Sequence, residues 1–251
     1  GNYRVETFEI PDLYNTFTFG NFSPYAVRRF LEYAYTEWDA QTRPQFALLV
    51  GDGNYNYKGY YYPAYGTLRA PIYVPPYMFT SQYMRTASDN WFACFIGDDN
   101  VPEMDLGRLC VTTAAETTDR VNKIIGYENG TDGLPWQGEI LMVADNPDPE
   151  AGDFPADSDW LIANHVPPSF TAETAYVPDL GVAGTRAAII SGCNNGKILV
   201  NYLGHGSTDF WSRPHIFENT DIASLTNADR LNLLTTPTCL NGYWCDVSED
   251  C

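Results

Sequence analysis

Residues 197–207 read KILVNYLGHGS, and residues 231–242 read LNLLTTPTCLNG. Each is a short apolar run that stops at a polar, glycine-containing turn. Such runs mark strands buried on both faces, the kind found in parallel sheets. Phe46–Val50 and Glu139–Ala144 have the same character and stop at Gly51-Asp52-Gly53-Asn54 and at Asp145. Leu106–Leu109 is a shorter strand, Asp89–Phe95 reads as extended, and residues 55–87 read as a Tyr- and Pro-rich irregular excursion. Helical spacing lies between the strands. Ser23-Pro24 caps a helix carrying Ala26, Phe30, Leu31, Ala34 and Trp38. A second runs through Val121, Ile124, Ile125 and Tyr127 to Asn129-Gly130, with shorter ones at Trp160–His165 and Thr185–Ser191. Strands alternating with helices predict an α/β fold with mostly parallel sheets.

In such sheets ligands gather at the carboxyl edge of the strands. Asp145, His205 and Cys239 each end a predicted strand there. A thiol beside an imidazole is held partly as thiolate and can act as a nucleophile. The glycines flanking His205 let backbone approach a ligand closely. A Cys–His dyad is the chemistry these two motifs support together.

Composition limits the alternatives. The 251 residues carry 14 Lys+Arg against 32 Asp+Glu, a net charge of −18. That excludes a nucleic-acid binder, which needs a basic face, and argues against a polybasic membrane anchor. No apolar run reaches the roughly 18 residues of a membrane span. Six cysteines in a chain this long are too sparse for a disulfide scaffold, and Cys239, Cys245 and Cys251 lack zinc-site spacing. The acids suit a solvated surface, a basic substrate or calcium, although no loop has EF-hand spacing.

Asn201-Tyr202-Leu203-Gly204-His205-Gly206-Ser207 and Cys239-Leu240-Asn241-Gly242 resemble the two catalytic motifs of the gingipain-like cysteine peptidases, peptidase family C25. Phe46–Asp52, Leu106-Gly107-Arg108 and Thr117–Glu128 resemble further stretches of that family, so the likeness runs from about Pro24 to Cys251. The resemblance implies a three-layer α/β/α caspase-like fold with mostly parallel sheets in two subdomains, and cysteine endopeptidase activity. Cys239 matches the nucleophile and His205 the general acid/base. The N–H groups of Gly206 and Cys239 match the oxyanion hole, and Asp145 best matches the acid that orients the histidine. Asp159, or Asp157 beside it, matches an acidic S1 residue on a loop Asp145–Asp159, which implies cleavage after Arg or Lys. The chemistry needs no cofactor; a structural Ca2+ is implied without assigned ligands. Protein or peptide substrates, secretion or a bacterial cell-surface location, and membership of a larger multidomain protein are implied as well.

The boundary is expected in the linker Thr131–Gly138, giving an N-terminal α/β subdomain over 1–131 and a catalytic subdomain over 132–251. Family members continue past the nucleophile with a helix and a further strand. Here Cys239 stands 12 residues before Cys251, with Ser248 placed to cap that helix. The catalytic subdomain is therefore expected to be truncated, and weakly stable or inactive alone. Two other readings compete. Gly51-Asp52-Gly53 after a strand suggests a nucleotide site, but Asn56 stands where a third glycine is needed and Asp52 would repel phosphate. Tyr55, Tyr57, Tyr60, Tyr61, Tyr62 and Tyr65 would suit a non-catalytic surface module, an adhesin, sugar binder or pseudopeptidase, that stacks on sugars.

Overall fold

A computed structural model describes residues 3–60, 72–82, 84–130 and 133–247. The chain forms two compact units. One runs to Arg120 and includes the segment from Tyr243; the other is Val121–Gly242.

The first unit contains α1 (Ile10–Thr18), α2 (Pro24–Glu37), β1 (Phe46–Val50), β2 (Met78–Thr80), β3 (Arg85–Ala87) and β4 (Asp105–Leu109). The Ser23 hydroxyl accepts from the Tyr25 N–H at 3.3 Å and Pro24 opens α2, as the sequence predicts. β1 and β4 pair in parallel, from Phe46 opposite Asp105 to Val50 opposite Leu109. Val27, Leu31, Leu49, Val74, Phe92, Ala93 and Met104 form the core beneath them. Asp89–Phe95 is not extended: Asn90–Phe92 is a 3-10 turn that buries Phe92. Arg108 fixes its start, clasping both Asp89 oxygens at 2.6 and 2.8 Å. A methyl on Gly53 would stand 2.3 Å from the Val74 carbonyl. At Gly53 the turn thus packs directly against the chain itself. Tyr57 packs edge-on against Phe22, while Tyr61, Tyr62 and Tyr65 lie outside the described residues.

The units divide inside α3 (Ala114–Gly130), upstream of the linker expected to separate them. Tyr55 N–H donates to the Cys245 carbonyl at 2.9 Å, and Trp244 lies 4.4 Å beneath the Arg108 guanidinium. These contacts tie the segment after Gly242 to the first unit, whereas the sequence reading assigned it to a subdomain over 132–251. Ser248 and Cys251 lie outside the described residues.

The second unit holds β5 (Glu139–Ala144), α4 (Phe154–His165), β6 (Thr171–Tyr176), α5 (Val177–Asn195), β7 (Leu199–Leu203), β8 (Phe210–Trp211), β9 (Phe217–Glu218) and β10 (Leu233–Thr235). Its four-stranded parallel sheet has the order β10-β7-β5-β6; β8 and β9 form a small antiparallel ribbon. β5 is buried on both faces, which explains its continuous apolar run. Leu141 and Val143 pack with Ile189 and Cys193 of α5; Ile140 and Met142 pack with Phe154, Leu161 and Ile162 of α4. Helices on both faces of the sheet make three layers. β6 escapes sequence reading because TAETAY alternates small and polar residues and buries only its last two. Helix α4 starts at Phe154, so Asp157 and Asp159 are helical and the acidic loop ends at Asp153, whose side chain caps the helix through the Ala156 N–H at 3.2 Å. α5 begins at Val177 and kinks at Gly181 (φ 65°), which breaks the helical period before Thr185.

Candidate active site

β10, β7 and β5 are parallel neighbours, so the residues that follow them share one sheet edge. That edge carries Cys239 after β10, His205 after β7 and Asp145 after β5. The Cys239 residue is exposed. A methyl on Gly206 would stand 2.4 Å from Thr238 Oγ1. The His205-Gly206 and Thr238-Cys239 turns therefore abut, and only glycine fits at 206. Among the described residues, neither the Gly206 nor the Cys239 N–H has an acceptor.

The imidazole is about three-quarters buried. Its Nε2 lies 3.1 Å from Asp148 Oδ2, and the Phe154 ring meets it edge-on at 5.6 Å. Asp148 is itself held. Its Oδ1 accepts the N–H groups of Glu150 at 2.8 Å and Ala151 at 2.9 Å, and its backbone exchanges both hydrogen bonds with Gly152. These backbone donors, then His205, hold the Asp148 carboxyl below the usual carboxylate range.

Asp145 is not the carboxylate on the imidazole. It is buried, and it reaches the histidine through the backbone: Oδ2 takes the His205 N–H at 3.4 Å. Its Oδ1 accepts from Ser212 Oγ at 2.6 Å and from the Asn146 N–H at 2.8 Å. Ser212 is fully buried with φ 61°, a left-handed conformation costly for a residue with a side chain. That turn aims its hydroxyl at Asp145 and its N–H at the His205 carbonyl, 2.6 Å away.

Asp159 is exposed at the carboxyl end of the sheet. Its Oδ1 accepts the hydroxyl of Tyr176, the last residue of β6, at 2.9 Å. Burial, then Asp159, pushes the Tyr176 phenol well above its ordinary pKa, so it stays a donor. Asp157 is also exposed and lies beside Gly152 of the Asp148 turn, where a methyl on Gly152 would stand 3.6 Å from its carboxylate. No group of three His, Cys, Asp or Glu among the described residues is arranged as a metal site.

Sequence reasoning missed Asp148, Phe154, Ser212 and Tyr202. Asp148 is one of several acids between Asp145 and Asp159, and only the bridge to Gly152 turns it toward the imidazole. Phe154 left a usable signal, because Asp153-Phe-Pro is an N-cap followed by a helix-opening proline.

A parallel sheet covered on both faces, with histidine and cysteine turns on one edge, is the architecture of the caspase-like α/β proteins. The sequence model of peptidase family C25 matches residues 2–251, and the chain belongs to that family. Gingipain R2 and gingipain R1 of Porphyromonas gingivalis are each 30% identical to it over 159 residues, 62% of this chain. The chain spans 21% and 16% of those relatives. The crystal structure of the Arg-specific cysteine proteinase gingipain R superimposes with a TM-score of 0.67 at 28% identity, over 88% of this chain and 46% of that one. Among the described residues no helix is long and apolar enough to cross a membrane.

Proposed function

We propose that the second unit carries the catalytic centre of a cysteine endopeptidase. The observation that carries this reading is the abutment of Gly206 on Thr238, which sets the histidine turn beside the cysteine turn on one sheet edge. Cys239 Sγ attacks the scissile carbonyl. His205 takes the thiol proton and delivers it to the leaving amine. The Gly206 and Cys239 N–H groups receive the oxyanion. Asp148 orients the imidazole, and Asp145 anchors the backbone beneath it. The test is covalent labelling of Cys239 by a peptidyl chloromethyl ketone with Arg at P1. Labelling lost in His205→Ala supports the peptidase; an unlabelled wild type overturns it and favours a binding module.

Asp148→Asn is expected to lower kcat about 10- to 100-fold with little change in KM. The sign of its stability effect follows from the depressed pKa. The stabilisation is complete above the unfolded-state value and is lost as pH falls through the lower folded one. The Tm gap between wild type and Asp148→Asn should be constant above about pH 5 and close on acidification. A gap that persists at low pH would contradict the assignment.

Substrate preference rests on Asp159. Tyr176 holds one of its oxygens, so the other is fixed and open to solvent for a P1 guanidinium; Asp157 is the second candidate. Matched peptides with Arg, Lys, Leu or Asp at P1 should rank Arg and Lys first. Asp159→Ala should lower kcat/KM for the Arg peptide about 100-fold and leave the Leu peptide unchanged. No basic preference in the wild type sinks the idea. Structural calcium belongs to the same proposal with no ligands assigned, and no step depends on it. Secretion or surface display as part of a larger protein accords with the gingipain relatives.

A further inference from the structure

Two donors converge on one carbonyl behind the site. The His205 C=O accepts the Tyr202 hydroxyl at 2.5 Å and the Ser212 N–H at 2.6 Å. That carbonyl and the Gly206 N–H belong to a single planar peptide unit and point in opposite directions across it. Fixing the oxygen fixes the direction of the N–H. Space for the Tyr202 contact comes from Gly204, where a methyl would stand 2.5 Å from the Tyr202 hydroxyl and 2.5 Å from Asp145 Cβ. The Tyr202 ring is fully buried and stacks on Trp211 at 4.7 Å.

We infer that Tyr202 is a positioning residue for the oxyanion hole, acting through the His205 carbonyl to aim the Gly206 N–H at the developing charge. The inference rests on the peptidase reading above. Two hydrogen bonds on the carbonyl also polarise the amide and strengthen its N–H as a donor. Burial, then the nearby Asp145 charge, keeps the Tyr202 phenol protonated far beyond neutral pH, so the donation persists across the working range. Asp145 and Ser212 complete the support by holding the His205 N–H and carbonyl from the other side.

The role separates two kinds of chemistry at Cys239. Acyl transfer puts negative charge on a substrate oxygen and uses the hole. Alkylation by iodoacetamide displaces iodide from carbon, puts no charge on an acyl oxygen, and reports only the thiol and its imidazole. Tyr202→Phe removes one oxygen and leaves the Ser212 N–H on the carbonyl, so no acceptor is orphaned. On the full chain it is expected to lower kcat about 10- to 100-fold with KM nearly unchanged. The Ki of a peptide aldehyde, which forms a thiohemiacetal on Cys239, should rise by a similar factor, while the iodoacetamide rate stays at the wild-type value. Gly204→Ala would press on Asp145 Cβ as well as on this hydroxyl, so Tyr202→Met, which also lacks the hydroxyl, should give the same signature and serves if the first variant does not fold. Wild-type kcat and aldehyde affinity in a folded variant overturn the inference, as does equal loss of alkylation and turnover. A wild type that neither turns over peptide nor takes the chloromethyl ketone would instead overturn the peptidase reading.

Discussion

Cys239→Ala and His205→Ala should each lower kcat on an Arg-P1 peptide by about 10⁴-fold or more, and the double variant should be no worse than either alone. The non-additivity follows from the mechanism. A thiol without its base and a base without its thiol both leave only binding and the oxyanion donors. Cys239 is exposed and supports no core, so its substitution should leave Tm unchanged. The control matters because lost activity with lost Tm would report unfolding. Steady-state kinetics and a thermal melt on the same preparations check both statements. A Cys239→Ala protein that keeps a tenth of wild-type turnover would remove Cys239 as nucleophile.

The second large effect belongs to Asp145, and it combines stability with activity. Its carboxylate accepts from Ser212 Oγ, the Asn146 N–H and the His205 N–H inside a buried site. Asp145→Ala leaves the buried Ser212 hydroxyl and the part-buried Asn146 and His205 N–H groups without their acceptor. Hydrogen bonds to a charged group contribute about 1.5–3 kcal/mol, and orphaned buried donors cost a similar amount. We expect a loss of about 3 kcal/mol, which for a chain of this size lowers Tm by on the order of 10 °C. Turnover should fall as well, because the His205 turn loses its anchor. Asp145→Asn keeps an acceptor for Ser212 and should lose about half as much stability. An Asp145→Ala protein with wild-type Tm would show that the buried network contributes nothing.

Two kinds of information were present to different degrees in the sequence. β5 and β7 were legible as buried strands because both faces are covered, which forces continuous apolar runs. β1 and β10 read the same way and are strands, but Phe46, Leu48 and Val50 of β1 and Leu233 and Leu234 of β10 are exposed. β6 was invisible because it buries only its last two residues. The α2 cap was legible because Ser23-Pro24 acts locally. The return of the segment after Gly242 to the first unit was not, because it depends on its contacts with Tyr55 and Arg108.

The candidate site divides in the same way. Strand-end position named Cys239, His205 and Asp145, since each follows a run that has to be a strand. The sequence by itself determined that these residues share an edge, because parallel pairing repeats the same polarity along the chain. Only the tertiary structure decided which acid meets the imidazole. Asp145 and Asp148 are chemically alike and three positions apart. A strand end buries the first against backbone, while the turn bridged to Gly152 swings the second onto Nε2. Orientation within a loop depends on contacts distant in sequence, and residue order alone carries no record of them.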